Sequence, residues 1–102
     1  MIFNKLGEIG QFLTEIGVIV GEIADVYDNG YGIKKPLLIH KTQDGKSVNV
    51  QTVFFQEEYC FIYKDKIFLE LKPMDKVIEI YEKYKVQIFS GLVVPDEKKL
   101  II

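Results

Sequence analysis

The order of apolar and polar residues along the chain predicts β-strands over most of its length. Residues 16–27 and 31–41 are apolar and rich in β-branched side chains, which favours strands. Asp28-Asn29-Gly30 lies between them and is a strong turn signal, because Asn-Gly tolerates positive φ. Asp44-Gly45 and Lys64-Asp65-Lys66 mark two later turns. The five predicted strands cover residues 16–27, 31–41, 47–55, 59–63 and 67–72.

Helical spacing occurs at both ends of the chain. Residues 2–14 place apolar side chains every three or four positions, which predicts a short N-terminal helix. Gly7 and Gly10 would each weaken that helix by roughly 1 kcal/mol relative to alanine, so an extended course into the first strand is the alternative. Residues 75–90 repeat apolar side chains in the same way, and Asp75 is a suitable N-cap. This second stretch predicts a C-terminal helix.

The predicted elements indicate one mainly β domain over residues 1–102. Successive strands joined by tight turns form an antiparallel meander. Gly17 and Gly21 in the first strand and Pro36 in the second favour sharp bends, which a small closed barrel needs. We therefore expect a five-stranded bent antiparallel barrel, SH3-like or OB-like, over residues 16–72. Residues 1–15 form its N-terminal segment and residues 75–90 its C-terminal helix.

The charge of the chain limits its possible partners. The net charge is −2, and all 13 basic residues are lysine. Arginine is the preferred side chain for bidentate contacts to phosphate and guanine, so its absence argues against base-specific readout of DNA. Residues 34–46 carry a net charge of +3 and are the best candidate for a local anion-binding surface. A solvated hairpin with lysines is the simpler interpretation.

Few residues suggest catalysis or metal binding. His40 is the only histidine and Cys60 the only cysteine, so neither a zinc site nor a disulfide within the chain is expected. A nucleophilic pair of these two would also need an orienting group; we expect a surface histidine and an interfacial cysteine, both facing away from the barrel interior. Glu57-Glu58 fits a solvated turn. We expect no enzyme, no cofactor and no metal.

The last two predicted strands are apolar on both faces, which a barrel with one interior does not explain. An exposed apolar edge strand is a hazard in a monomer and an interface in an oligomer. We expect these strands to pair with those of neighbouring copies in a closed ring of about five to seven subunits. The predicted interface residues are Tyr59, Cys60, Phe61, Ile62, Ile67, Phe68 and Leu69.

Lysines near aromatic and amide side chains suggest a surface for single-stranded nucleic acid. Base stacking on an aromatic ring contributes roughly 1–3 kcal/mol, and a ring would repeat a weak site several times. Tyr31, Tyr59 and Tyr63 are possible stacking platforms, or they pack in the subunit interface. The predicted binding residues are Lys34, Lys35, His40, Lys41, Lys46, Asn49, Tyr63, Lys64 and Lys66.

The chain resembles the Sm/LSm family over about residues 15–72. The resemblance rests on four segments: Gly21-Glu22-Ile23-Ala24-Asp25-Val26, the Asn29-Gly30 turn, the Lys41–Lys46 hairpin and Tyr63-Lys64-Asp65-Lys66-Ile67. It implies a bent five-stranded barrel, ring assembly through the last two strands and single-stranded RNA binding near the pore. The length, the lysine content and the C-terminal helix are similar to those of small Sm-like proteins of tailed phages.

The chain departs from the family pattern at the nucleotide-binding positions. Leu37-Leu38-Ile39-His40-Lys41 stands where the family has an Asp, hydrophobic, Met, Asn run, and Lys64-Asp65-Lys66 lacks the usual glycine. The family's uridine pocket is therefore not carried over. We expect a non-catalytic ring protein that binds single-stranded RNA or DNA with little base specificity. A structural ring module acting through protein contacts is the alternative. The expected location is the cytoplasm, of a host cell if the chain comes from a phage, with no membrane association.

Overall fold

The computed structural model of the chain describes residues 6–53 and 58–89. It is mainly β, as predicted, with one helix at the C-terminal end. The strands are β1 (Ile9–Thr14), β2 (Gly17–Tyr27), β3 (Gly30–Lys41), β4 (Val48–Thr52), β5 (Tyr59–Tyr63) and β6 (Ile67–Leu71). A 3₁₀ turn (Lys64–Lys66) joins β5 to β6, and helix α1 spans Asp75–Phe89.

The prediction of a helix over residues 2–14 is wrong where the structure describes this segment. Residues 9–14 form β1, which pairs with β2 on one side and with β6 on the other. Gly10, Phe12 and Thr14 alternate with less buried neighbours, so the burial follows the period of a strand. The two glycines weaken a helix here, and pairing with two strands satisfies the backbone instead. Residues 2–5 lie outside the described residues.

The predicted bend in the second long strand is present in β3, where Pro36 lies in a β-bulge. Val20 pairs with Leu37 and Glu22 with Lys34, so β3 carries one extra residue at this point. Lys35 takes a φ of 50° there, and Pro36 is fully buried. Gly21 lies opposite, where an added Cβ would be 2.3 Å from Ile33 Cγ2. The bend therefore depends on a glycine that lets β3 approach closely.

The strands form a six-stranded antiparallel sheet rather than a five-stranded closed barrel. The order is β4-β3-β2-β1-β6, and β5 pairs with the first half of β3. Within the described residues, no ladder joins β6 to β4 or to β5. The expected meander therefore holds only as far as β4. Because β3 is long and bent, its first half pairs with β5 and its second half with β4.

The sheet buries apolar side chains on both faces. One cluster consists of Phe12, Ile19, Ile23, Tyr31, Ile33, Leu38 and Ile62. The other consists of Val20, Leu37, Ile39 and Tyr81, and Tyr81 comes from α1. The predicted C-terminal helix is confirmed over residues 75–89, and it covers this second face. In the part of the chain that the structure describes, no helix has the length and apolar character that crossing a membrane requires.

Candidate assembly edges and basic surfaces

Strand β6 presents an apolar edge to solvent. Its inner edge pairs with β1, and its outer edge has no partner strand among the described residues. Phe68 is 67% exposed and Leu69 is 51% exposed. Edge strands of monomeric proteins are commonly protected by lysine, proline or a bulge. The sequence Ile-Phe-Leu-Glu-Leu contains neither lysine nor proline. Its register with β1 skips Phe68, so β6 has a bulge at this residue and no other of these protective features.

Strand β5 presents a second such edge. It pairs with β3 on one side, and no other strand of the described ranges lies on its outer side. The strand carries no charged residue. Tyr59 and Tyr63 are both exposed, while Ile62 points into the first core cluster. The two unpartnered edges are thus connected by only the three residues of the 3₁₀ turn.

The outer face of β5 carries a group of rings that we call the aromatic patch: Tyr27, Tyr59, Phe61 and Tyr63. The Phe61 ring centroid lies 5.7 Å from that of Tyr27 and 4.9 Å from that of Tyr63. The Tyr59 hydroxyl donates a 2.8 Å hydrogen bond to Asp25 Oδ2. This bond favours the protonated phenol and raises the pKa of Tyr59 to about 12.

Glycines on β3 make room for the aromatic patch. Gly32 is paired with Phe61 in register, and an added Cβ would be 2.0 Å from the Tyr59 hydroxyl oxygen. Gly30 is paired with Tyr63, and a Cβ there would be 2.6 Å from a Phe61 ring carbon. Sequence reasoning treated Gly30-Tyr31-Gly32 as turn geometry only and missed both Tyr27 and Asp25. The sequence did contain a signal for this patch: two glycines alternate on β3, and three aromatic residues, Tyr59, Phe61 and Tyr63, alternate in the same way on β5.

The seven predicted interface residues divide into two groups. Phe68, Leu69 and Tyr59 are exposed, and Phe61 is half-buried in the aromatic patch. Ile62 belongs to the core of the chain itself, and Cys60 and Ile67 pack against that core. The expectation that Cys60 faces away from the interior is therefore wrong. Burial also raises the pKa of the Cys60 thiol to about 11.

The predicted nucleic-acid-binding residues fall into three separate places along β3. Tyr63, Lys64 and Lys66 lie at its start, where the Lys64 amide donates to the Asn29 carbonyl. Lys34 and Lys35 lie at the bulge in the middle. The remaining four residues lie at the end of the strand, and we call them the hairpin group: His40, Lys41, Lys46 and Asn49.

The hairpin group is the set that the fold brings together. His40 and Asn49 are directly paired in register, and both are exposed. Lys41 pairs with Val48, and Lys46 lies in the connecting turn. Asp44 shapes that turn by accepting hydrogen bonds from the Thr42 hydroxyl and the Lys46 amide. These bonds lower the pKa of the Asp44 carboxyl, which keeps a negative charge among the lysines.

Two further positions differ from the sequence-based expectation of a binding surface. Tyr31 is buried in the first core cluster, where its hydroxyl donates to Glu70 Oε1 at 2.8 Å, so it is not a stacking platform. Cys60 of β5 is paired with Ile33 of β3, and His40 lies seven positions further along β3. That spacing corresponds to about 20 Å along an extended strand. The structure does not bring the two side chains together.

Comparisons with known proteins give no family for this chain. None of the protein-family models matches it, and the search of curated proteins also finds no match. In the ranges 6–53 and 58–89, no group of three or more histidine, cysteine, aspartate or glutamate side chains is placed to hold a metal ion.

Proposed function

We propose that the chain is a non-catalytic, Sm-like structural module that assembles into a closed ring through β5 of one copy and β6 of the next. The observation that carries this proposal is the pair of apolar edges on these two strands, neither of which has a partner strand within residues 6–53 and 58–89. A strand pair across the subunit boundary would satisfy the backbone groups of both edges and bury Phe68 and Leu69. It would also continue each sheet into the next.

The two edges differ in sequence, so their contact is heterologous. A heterologous contact gives a ring when the rotation between neighbours closes, and a filament when it does not. An isologous contact of β5 with β5 would instead stop at a dimer. The number of subunits and the response to edge variants therefore distinguish these arrangements.

The test is the mass of the protein in solution, measured by native mass spectrometry and by light scattering after size exclusion. Tyr63→Lys and Phe68→Lys each place a charge on one edge, and both variants should be monomeric. Val86→Lys is the matched control, because Val86 is 59% exposed but lies on α1. It should assemble like the unaltered protein.

Mixing the two edge variants sharpens the test. Tyr63→Lys retains an intact β6 edge and Phe68→Lys retains an intact β5 edge, so an equimolar mixture should give a dimer and nothing larger. A monomeric unaltered protein at micromolar concentration would overturn the proposal. A stable dimer of Phe68→Lys alone would replace the ring with an isologous contact.

A second candidate function is binding of single-stranded RNA or DNA without base specificity. The hairpin group favours it, because two lysines, an imidazole and an amide are exposed at one end of β3. Each such site is weak, and a ring would multiply it. The structure places the lysines of the β5–β6 turn at the other end of β3, so a single copy offers no joint pocket from the two loops.

Fluorescence anisotropy with labelled oligo-U and oligo-A at low salt tests this second function. Lys41→Gln combined with Lys46→Gln should weaken binding of both oligonucleotides several-fold and reduce its salt dependence. Lys72→Gln combined with Lys83→Gln removes the same charge elsewhere and is the control. Absence of binding by the unaltered protein at low salt would leave the structural ring module as the only proposed function.

A further inference from the structure

A cleft of about 530 Å³ lies between the start of α1 and the second face of the sheet. Its walls are mainly aliphatic and come from β2, β3, β4 and the helix: Val18, Val20, Ile39, Val48, Val77 and Ile80. Helix α1 and strand β3 run in opposite chain directions. Tyr81 lies over the bulge in the middle of β3, and Lys76, earlier in the helix, lies near the end of the strand. The cleft is the space left where the beginning of the helix stands away from the sheet.

Two lysines are among the residues that line this cleft. Lys41 comes from the end of β3 and Lys76 from the first turn of α1, and His40 also lines the cleft. No aspartate or glutamate is among the described residues that line the cleft. The site therefore combines an apolar wall with two lysines and, among the described lining residues, no carboxylate.

We propose that this helix cleft binds a single-chain amphiphile with an anionic head, of the class of medium-chain carboxylates. The volume is within the range of sites that hold small molecules, about 300–1,000 Å³. An alkyl chain would cover the valine and isoleucine wall, and the carboxylate would accept charge-assisted hydrogen bonds from Lys41 and Lys76. This site lies on the face of the sheet under α1, and it does not depend on assembly through β5 and β6.

Isothermal titration calorimetry with decanoate below its micelle concentration tests the proposal on the full chain. Octanoate, decanoate and dodecanoate should bind with affinities that rise about fourfold for each added methylene group. Decanol, which lacks the charge, should bind at least tenfold more weakly than decanoate. Binding of decanol as tight as that of decanoate would overturn the assignment of the two lysines to the head group.

Variants locate the site. Lys41→Gln combined with Lys76→Gln should weaken decanoate binding at least tenfold, while Lys72→Gln combined with Lys83→Gln should leave it unchanged. Val48→Phe fills the cleft and should abolish binding; Val26→Phe adds the same ring at an exposed position of β2 and should not. Circular dichroism melting of each variant establishes that it is folded. Where Val48→Phe is unfolded, the lysine variants and decanol decide the question.

Three results would overturn the proposal. The first is the absence of measurable heat or chemical-shift change with dodecanoate. The second is binding that survives both the lysine variants and the filled cleft, which would place the amphiphile elsewhere. Vesicles of phosphatidylglycerol form a separate arm of the experiment. Binding to these vesicles without binding to monomeric decanoate would indicate a membrane surface rather than a bound monomer, and it would also overturn the proposal.

Discussion

The Tyr81 hydroxyl donates a 3.0 Å hydrogen bond to the carbonyl oxygen of Lys35, the residue at the centre of the bulge in β3. Its oxygen also lies 3.4 Å from the Lys34 carbonyl oxygen. Tyr81 is fully buried, and burial raises the pKa of its phenol, so the hydroxyl remains a donor across the usual pH range. Tyr81 therefore links the helix directly to the backbone of the bulge.

Removing this hydroxyl should destabilise the protein without altering its assembly. Tyr81→Phe leaves the Lys35 carbonyl under the helix without this donor, and we expect a loss of about 1–3 kcal/mol in the free energy of unfolding. Urea denaturation measures this loss. Tyr84→Phe on the same helix is the control and should change the stability by less than about 0.5 kcal/mol. Equal effects of the two variants would contradict the structural role given to Tyr81.

Because Lys35 has a positive φ, replacing it by glycine and by valine should change the stability of the protein in opposite directions. A residue with a Cβ in this conformation costs roughly 1–2 kcal/mol, so Lys35→Gly should stabilise the protein by about 0.5–1 kcal/mol. Lys35→Val should destabilise it by at least about 1 kcal/mol, because β-branched residues avoid this region. Lys34→Gly removes the same charge at a residue whose φ is negative and should be destabilising. Stabilisation by both glycine variants would indicate a charge effect instead.

The ion pair between Glu22 and Lys85 should make the stability depend on pH. The Lys85 ammonium donates a 2.9 Å hydrogen bond to Glu22 Oε2, and this bond lowers the pKa of the carboxyl below its ordinary 4.5. The contribution of the pair is therefore complete above about pH 5 and is lost as the pH falls through the lowered pKa. Glu22→Gln should be less stable by up to about 1 kcal/mol at neutral pH.

Comparing the urea midpoints of Glu22→Gln and the unaltered protein at pH 7 and about pH 3 checks the sign. The difference should shrink at the acidic value, because the carboxyl of the unaltered protein loses its charge as the pH falls through its lowered pKa. Glu79→Gln alters an exposed carboxyl on α1, the helix that carries Lys85. Its effect on the urea midpoint should not depend on pH in this way. A difference that grows on acidification would contradict the interpretation of the pair.

Two glycines of adjacent strands should respond differently to alanine. At Gly21 the added Cβ would be 2.3 Å from Ile33 Cγ2 and 3.1 Å from the Lys34 carbonyl oxygen, so Gly21→Ala should cost about 1–3 kcal/mol. At Gly32 the closest atom is the Tyr59 hydroxyl oxygen. That atom ends an exposed side chain which moves aside, so Gly32→Ala should keep most of the stability.

The Gly32→Ala variant should instead change the titration of Tyr59. Displacement of the ring breaks its hydrogen bond to Asp25, and the pKa of Tyr59 should fall from about 12 towards 10. Absorbance of the phenolate in an alkaline titration measures this change. The titration of Tyr59→Phe shows which part of the absorbance belongs to Tyr59, and circular dichroism establishes that the fold persists. Asp25→Asn should lower the same pKa. An unchanged titration in both variants would contradict the contact between Tyr59 and Asp25.

The strand and helix positions that the sequence predicts well are those defined by local chemistry. Residues 59–63 match β5, and residues 75–89 are helical as expected. Turn residues such as Asp44-Gly45, where Gly45 takes a φ of 72°, and the alternation between turns act over a few positions along the chain. At Asn29-Gly30 the predicted turn is present, but neither residue takes the expected positive φ, and Gly30 already belongs to β3. The bend at Pro36 was also predictable, because a residue without an amide donor disrupts a ladder wherever it occurs.

The choice of partner strands was not predictable in this way, because it depends on contacts far apart in the sequence. Residues 9–14 have apolar spacing that suits a helix, and pairing with both β2 and β6 decided in favour of a strand. Strand β5 pairs with neither β4, which precedes it, nor β6, which follows it; its partner is β3. This pairing is possible because β3 is long and bent enough to pair with two strands, and the periodicity of β5 alone does not indicate it.

The same distinction between local and long-range information applies to the candidate site. The sequence by itself determined that β5 and β6 carry more apolar side chains than one interior uses, and that the basic residues are lysines concentrated in residues 34–46. Only the tertiary structure decided that Ile62 and Tyr31 are core residues, that the lysines occupy three places along β3, and that two apolar edges remain without partners in the described residues. Composition and periodicity are properties of single segments, whereas burial and pairing result from where the other segments lie.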